Sequence, residues 1–151
     1  GHIDQSLFAR NILDEKNGPP PEINLFNEKN NGETLLKLIN SDLIQSAHDV
    51  SIGGIITAVS KMCIKGKKGI TLKKPKYLIN EIEYFFGEDQ GRYILEIDQS
   101  KIGKVEKILK NNNIFYENIG LTQKDHFEIE KEMKISIKDL YKINNQWYNN
   151  Y

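Results

Sequence analysis

SAHDVSIGGI, residues 46–55, decides the expected fold because it joins a strand pattern to a helix pattern through two glycines. The preceding LIQSAH, residues 43–48, is typical of a strand. The following GGIITAVSKMCIKG, residues 53–66, carries apolar residues near helical spacing, and glycines at its end. A strand that enters this stretch and a helix that leaves it predict a layered α/β arrangement.

The rest of the chain continues the alternation of helix and strand patterns. Residues 77–86 fit a helix or a strand equally, and residues 17–23 form an extended connection through three prolines. Because two strands come together late, we expect one mixed sheet with helices packed against it, an α/β (α+β) two-layer domain. The patterns predict helices over 3–13, 25–43, 100–113 and 136–143, strands over 70–72, 92–98 and 114–120, and a hairpin over 126–136.

Three of these helices carry more specific expectations. The helix over 25–43 should turn Leu35, Leu36, Leu38 and Ile39 toward the core. The helix over 136–143 should begin at a Ser136 cap with Asp139 three residues on. The short apolar helix within SLFARNIL, residues 6–13, should be the most exposed piece, since it has little local support before the prolines.

Composition excludes several classes of protein. The chain has 151 residues, enough for one domain with a real core, and 21 basic residues balance 21 acidic ones. A protein that holds nucleic acid through its phosphates usually has a basic excess, and the lysine-rich run 65–76 is better explained as the exposed flanks of a short strand. No run is long enough to span a bilayer, so we expect neither nucleic acid nor a membrane as partner.

The cysteine content bears on the cellular compartment, and the first two residues bear on the bounds of the domain. Cys63 is the only cysteine, which fits a cytoplasmic protein, and its apolar surroundings favour a core position over a catalytic thiol. Gly1 and His2 are expected to be a scar of cloning, which leaves residues 3–151 as a single C-terminal domain of a larger protein.

HDVSIGG, residues 48–54, holds most of the chemistry that the sequence offers. At the start of a helix, the Gly53 and Gly54 N–H groups and the helix dipole would favour phosphate. Asp49 could supply an oxygen ligand to Mg²⁺, and Ser51 could donate to a nucleotide. The structural interpretation is a strand–turn–helix with Ser51 as helix cap. On spacing alone it is favoured, since the stretch is no Walker motif.

FFGEDQGRY, residues 85–93, is a second cluster. Glu88, Asp89 and Arg92 could form a binding loop, but a tight turn with Arg92 paired to Glu88 or Asp89 explains them as well and is favoured. No complete catalytic set is found, so the chain is expected to be inactive in isolation.

Together these stretches resemble one family. GPPPEINL (18–25), LINSDLIQSAHDVSIGGIITAVSKM (38–62) and FFGEDQGRYILEID (85–98) are similar in order and spacing to the last domain of phosphoribosylformylglycinamidine synthase, a relative of aminoimidazole ribonucleotide synthetase. The resemblance covers nearly the whole chain, from Ser6 to about Tyr141. It implies the aminoimidazole ribonucleotide synthetase C-terminal-domain fold.

The resemblance implies a ligase of purine biosynthesis. In that family ATP phosphorylates the amide oxygen of formylglycinamide ribonucleotide, and ammonia from glutamine displaces the phosphate to give the amidine. It implies that Asp49 is a magnesium ligand and that Ser51, Gly53 and Gly54 bind ATP or ADP. His48, Glu88 and Arg92 would then support this site.

The resemblance also has a departure and a set of implied partners. Ile52 stands where the family usually has Asp, which removes a carboxylate beside the glycines. The implied partners are the remaining domains of the synthetase and, if Tyr151 is the natural terminus, a separate glutaminase subunit and a small bridging subunit. The alternative from another class is a stand-alone nucleotide-sensing or protein-interaction α/β module.

Overall fold

The computed structural model describes residues 1–75 and 80–148. The chain forms two compact units, each built from two segments of sequence. The first unit is Gly1–Ala58 with Ile82–Glu117, and the second is Val59–Glu81 with Asn118–Tyr151. The elements in chain order are α1 (Leu7–Ile12), α2 (Leu25–Asn40), β1 (Ser46–Asp49), α3 (Gly54–Gly66), β2 (Gly69–Leu72), α4 (Glu81–Phe86), β3 (Tyr93–Glu96), a 3₁₀ turn (Gln99–Lys101), α5 (Ile102–Asn111), β4 (Gly120–Gln123), β5 (His126–Ile129), β6 (Met133–Ser136) and α6 (Ile137–Gln146).

The first unit buries helices α2 and α5 around an aliphatic cluster. Leu38, Leu43, Val105 and Leu109 form this cluster, and side chains of β3 and of the segment after α5 pack against it. Each such side chain contributes roughly 1.5–3 kcal/mol when fully buried. Strands β1 and β3 pair antiparallel, with Asp49 opposite Tyr93. The pairing holds the end of β1 in a fixed position.

The second unit is built on a mixed sheet in the order β4-β2-β5-β6. Strand β2 is parallel to β5 and antiparallel to β4, and β5 pairs antiparallel with β6. Leu72, Phe127 and Ile129 are buried in it. Cys63 is also buried, which confirms the core position expected for it.

The fold class is confirmed, and so are most of the elements. The mixed sheet, the hairpin of β5 and β6, and the cap of α6 all occur, with Ser136 Oγ accepting from the Asp139 N–H at 3.0 Å. The ambiguous segment is helical over Glu81–Phe86, while residues 76–79 lie outside the described part of the chain. The expected single sheet is wrong: the described strands form a two-stranded and a four-stranded sheet.

The strand expected over 114–120 is the clearest local error. Only Gly120, the first residue of β4, is in a strand. Ile114 and Tyr116 pack on the aliphatic cluster while Phe115 between them is 90% exposed. The alternation at residues 114–116 therefore reflects packing on this cluster, and only near the end of the segment does the chain join a ladder, where the Ile119 carbonyl accepts the Lys73 N–H at 2.9 Å.

Helix α2 turns inward only part of the set expected there, because Leu38 is buried and Leu35 is half-buried while the other two are exposed. Leu38 is buried, but Leu36 is 59% and Ile39 47% exposed, and Thr34 is buried in their place. Thr34 and Leu38 are four residues apart and share a face, which turns Leu36 and Ile39 away from it.

Candidate functional site

The site begins where β1 ends. The Val50 N–H donates to the Arg92 carbonyl at 2.8 Å, which extends the β1–β3 pairing by one residue. Val50 is 5% exposed, whereas Asp49 and Ser51 on either side of it are exposed. The period-two alternation of an extended chain therefore presents the carboxylate and the hydroxyl together to solvent.

In the described part of the chain, the Asp49 side chain lies close to His48. The His48 Nδ1 lies 2.6 Å from the Asp49 carbonyl oxygen and 3.3 Å from Asp49 Oδ1. The Asp49 side chain is 63% exposed and the His48 side chain 26%. The Asp49 carboxylate therefore faces solvent over most of its surface, and the imidazole lies beside both its carbonyl and its carboxylate oxygens.

The two glycine amides are already used within the chain. The Gly53 N–H donates to Glu88 Oε1 at 2.8 Å, and the Gly54 N–H donates to the Ser51 carbonyl at 3.0 Å. Neither N–H is open to a phosphate in this structure. The expectation that they form a phosphate cradle is corrected on this point, because a carboxylate of the same chain stands at the start of α3.

The glycines are required by backbone geometry. Gly53 and Gly54 have φ of +81° and +67°, which side chains with a Cβ adopt at a cost. A Cβ at Gly54 would lie 2.6 Å from the Phe85 carbonyl oxygen and 2.7 Å from the Phe86 carbonyl carbon. The turn therefore lets the start of α3 approach the backbone of α4 closely.

Ser51 does not cap α3 with its side chain. Within the described residues its hydroxyl makes no hydrogen bond, and only its carbonyl accepts from Gly54. The interpretation of Ser51 as a helix cap is therefore wrong. The Ser51 hydroxyl remains an exposed group beside Asp49 with no structural partner assigned to it.

The second cluster forms an internally bonded loop. Arg92 pairs with Asp89, with 3.0 Å between Nη2 and Oδ2, and also donates to the Gly87 carbonyl. Burial lowers the pKa of the Arg92 guanidinium, and the nearby Asp89 charge opposes that shift. Of the two pairings expected from sequence, the one with Asp89 occurs.

Asn31 of α2 also holds this loop, and the sequence analysis missed it. Its Nδ2 donates to the Gly91 carbonyl at 2.9 Å. An asparagine in the middle of a helix carries no spacing signal for such a bond, because its acceptor lies 60 residues along the chain. Only the packing of α2 against the loop shows it.

Helix α1 is anchored at its start and exposed at its end. Ser6 is 0% and Ala9 1% exposed, and the Phe8 ring lies 4.7 Å from the Phe86 ring between centroids. Ile12 and Leu13 remain 68% and 47% exposed. The expectation of an exposed segment is therefore confirmed for Leu7, which is 44% exposed, and for the C-terminal end, while Ala9 is buried and Phe8 packs on the segment before Gly87.

The described residues do not form a metal site on their own. Across 1–75 and 80–148, no cluster of three or more His, Cys, Asp or Glu side chains could enclose a metal ion. A magnesium ion commonly takes one or two carboxylates and completes its shell with water and phosphate oxygens. Asp49 could serve as one such exposed carboxylate ligand. Water and phosphate oxygens would then supply the other ligands.

The helices and one surface depression of the described residues also bear on the site. None of the helices there has the length and apolar character needed to cross a membrane. A shallow depression of about 250 Å³ lies on the β5–β6 hairpin and is lined by none of the candidate residues. Four of the six residues that line it are charged: Glu128, Lys131, Glu132 and Lys134.

Sequence comparison identifies close relatives. The model of "AIR synthase related protein, C-terminal domain" matches residues 5–131. The chain is 64% identical over 151 residues to phosphoribosylformylglycinamidine synthase subunit PurL of Pelagibacter ubique, and the match covers 100% of this chain and 21% of that protein. The chain thus spans about a fifth of the length of the curated relatives it matches.

Solved structures share the fold at lower identity. Phosphoribosylformylglycinamidine synthase II from Thermotoga maritima has a TM-score of 0.70 at 18% identity, over 80% of this chain and 22% of that one. A complex of T. maritima PurL with ATP has a TM-score of 0.65 at 18% identity, over 75% of this chain and 21% of that one. A structure of PurLQS from the same organism has a TM-score of 0.69 at 19% identity, over 88% and 24%.

Proposed function

Because the chain belongs to the family of AIR synthase related proteins, C-terminal domain, we propose that it is part of the synthetase that makes formylglycinamidine ribonucleotide in purine biosynthesis. The whole enzyme would convert formylglycinamide ribonucleotide, glutamine and ATP. The 64% identity to a PurL subunit over the full chain carries this proposal. A stand-alone sensing module has no comparable support.

Within that enzyme, we propose that Asp49 and Ser51 form one edge of a Mg-nucleotide site. Magnesium would neutralise charge on the phosphates, and phosphoryl transfer depends mainly on such neutralisation and on positioning. The chain's own part is an exposed carboxylate and a hydroxyl without a hydrogen bond among the described residues, on either side of Val50, which the hydrogen bond to Arg92 holds in place. Gly53 and Gly54 would shape the turn that presents them to the nucleotide.

The Asp49→Asn variant tests the metal role. In the complete polypeptide that carries this chain, it removes the negative charge with little change of shape. We expect Mg-dependent ADP binding to fall by about 10-fold or more and to respond less to added Mg²⁺, measured by titration calorimetry at several Mg²⁺ concentrations.

Asp14→Asn is the matched control for that variant. The Asp14 side chain is 91% exposed, and its carboxylate lies 3.8 Å from Lys16 Nζ. It should leave ADP binding unchanged. Equal ADP affinity and equal Mg²⁺ response in Asp49→Asn and Asp14→Asn would end the metal assignment.

Ile52 offers a converse test. It is 65% exposed beside Ser51, at the position where the family usually carries Asp. Ile52→Asp should strengthen the Mg²⁺ dependence of ADP binding without loss of stability, since the position is open to solvent. A loss of ADP binding in this variant would show that a carboxylate here does not help the metal.

The partners and location that we propose follow the family. The remaining domains of the synthetase would cover exposed apolar side chains of the first unit, such as Leu25 and Phe26, which are 76% and 77% exposed. Glutaminase and small bridging subunits would join the assembly in the cytoplasm, and PurLQS of T. maritima supports such partners. We also propose that the isolated chain has no synthetase activity. ATP hydrolysis by the isolated chain at a rate above that of a blank without protein would contradict this proposal.

A further inference from the structure

We propose that Glu88 is the positioning residue of the Asp49–Ser51 pair, acting through backbone amides and without contact to the ligand. This inference rests on the proposed nucleotide site. It assigns Glu88 a role different from a direct ligand.

A single carboxylate oxygen of Glu88, Oε1, accepts two backbone N–H groups. Glu88 Oε1 accepts the Gly53 N–H at 2.8 Å and the Leu7 N–H at 2.8 Å. Leu7 is the first residue of α1, and Gly53 directly precedes α3. The carboxylate therefore satisfies unpaired donors at the start of two helices, where a negative charge is favoured by the helix dipole.

Glu88 is itself held from both sides. Its own N–H donates to the His2 carbonyl at 3.0 Å, and the next residue, Asp89, accepts from the His2 N–H at 2.9 Å and pairs with Arg92. Arg92 is also the residue whose carbonyl fixes Val50. The turn between Val50 and Gly53 is therefore pinned at both ends by one loop, residues 88–92.

Ser51 lies between the two pinned points. Val50 is tied to Arg92 and Gly53 to Glu88, so Ser51 and Ile52 have few ways to move while both bonds hold. Loss of the hydrogen bond between Gly53 and Glu88 would leave the Asp49–Ser51 pair held on one side only. Supporting groups of this kind commonly change affinity by about 10- to 100-fold, even though they touch no ligand.

The test compares Glu88→Ala with Glu88→Gln in the complete polypeptide. Glutamine keeps an oxygen that can accept both amides, whereas alanine keeps neither bond. We expect ADP affinity in the presence of Mg²⁺ to fall by about 10-fold or more in Glu88→Ala and to return most of the way in Glu88→Gln. Glu15→Ala, an exposed glutamate of the same unit, is the control.

Hydrogen–deuterium exchange supplies a readout that does not depend on the ligand. Peptides that contain Leu7 and Gly53 should exchange faster in Glu88→Ala and near the parent rate in Glu88→Gln. Faster exchange with unchanged ADP affinity would overturn the positioning role. Equal loss of affinity in both variants with unchanged exchange would also overturn it, since Glu88 would then contact the ligand.

The proposed function can fail separately. If Asp49→Asn leaves ADP binding intact, the nucleotide site is wrong whatever Glu88 does. If Asp49→Asn abolishes binding and Glu88→Ala does not change it, the site stands and the positioning role fails.

Discussion

The turn of residues 48–54 and the loop of residues 87–92 look alike in sequence and use their polar groups in opposite ways. The turn combines one carboxylate with two glycines, and the loop combines two carboxylates with two glycines. In the turn, Asp49 and Ser51 point outward and the backbone amides are bonded. In the loop, Glu88, Asp89 and Arg92 bond to the chain itself.

Amino-acid composition alone therefore does not distinguish residues that could bind a ligand from residues that hold the backbone in place. A carboxylate that accepts two backbone amides has a structural role, whereas an exposed carboxylate without such bonds is available to a ligand. The two regions are also dependent on each other, because the loop holds the turn through Glu88 and Arg92.

Gly54→Ala should give the largest loss of stability, because it places a Cβ where the turn lies close to the backbone of α4. Positive φ and a Cβ 2.6 Å from the Phe85 carbonyl oxygen together should lower the free energy of unfolding by about 3 kcal/mol. Urea unfolding measures it. Gly103→Ala is the control, because nothing lies within 4 Å of its Cβ and alanine suits a helix. A stable Gly54→Ala chain would contradict the argument.

Arg92→Met tests the loop. It leaves Asp89 without its cation and the Gly87 carbonyl without its donor. We expect a loss of about 2 kcal/mol, less than for a fully buried pair because the Arg92 side chain is 30% exposed. Lys16→Met, whose ion pair with Asp14 is exposed, should change stability little. Similar losses in both variants would remove the distinction between the loop and an ordinary surface pair.

Two serines sharpen the comparison further. Ser6 Oγ accepts the Ala9 N–H at 3.1 Å as the buried cap of α1, so Ser6→Ala should cost about 1 kcal/mol. Ser51→Ala should leave stability unchanged, because the Ser51 hydroxyl has no bond in the described structure, and should weaken ADP binding by about 1 kcal/mol. A clear drop in melting temperature for Ser51→Ala would restore its role as a cap.

Tyr84 of α4 gives the smallest effect, visible only at high pH. Burial, with the charge of Glu117, raises the pKa of Tyr84 to about 12. The unfolded chain therefore releases this proton at lower pH than the folded chain, and stability is lost as pH rises through about 10 to 12. Tyr84→Phe should show a shallower loss in urea midpoints across that window. Parallel curves would show that Tyr84 titrates normally.

The sequence by itself determined the local framework. The alternation before Asp49, the glycine pair and the apolar helical spacing predicted β1, the turn and α3, and the Ser136 cap was also correct. Such features depend on neighbours within a few residues, so periodicity and capping rules suffice. The family motifs likewise singled out Asp49 and Ser51, two of the three side chains that are exposed in the turn.

Only the tertiary structure decided which charged groups face inward. The bonds of Glu88 reach residues 35 and 81 positions away, and that of Asn31 spans 60. Local patterns cannot specify such partners, because they form only when separate elements pack together. For the same reason the sequence placed a strand over residues 114–120, where the alternating side chains pack on helices, and missed that the chain's own carboxylate occupies the start of α3.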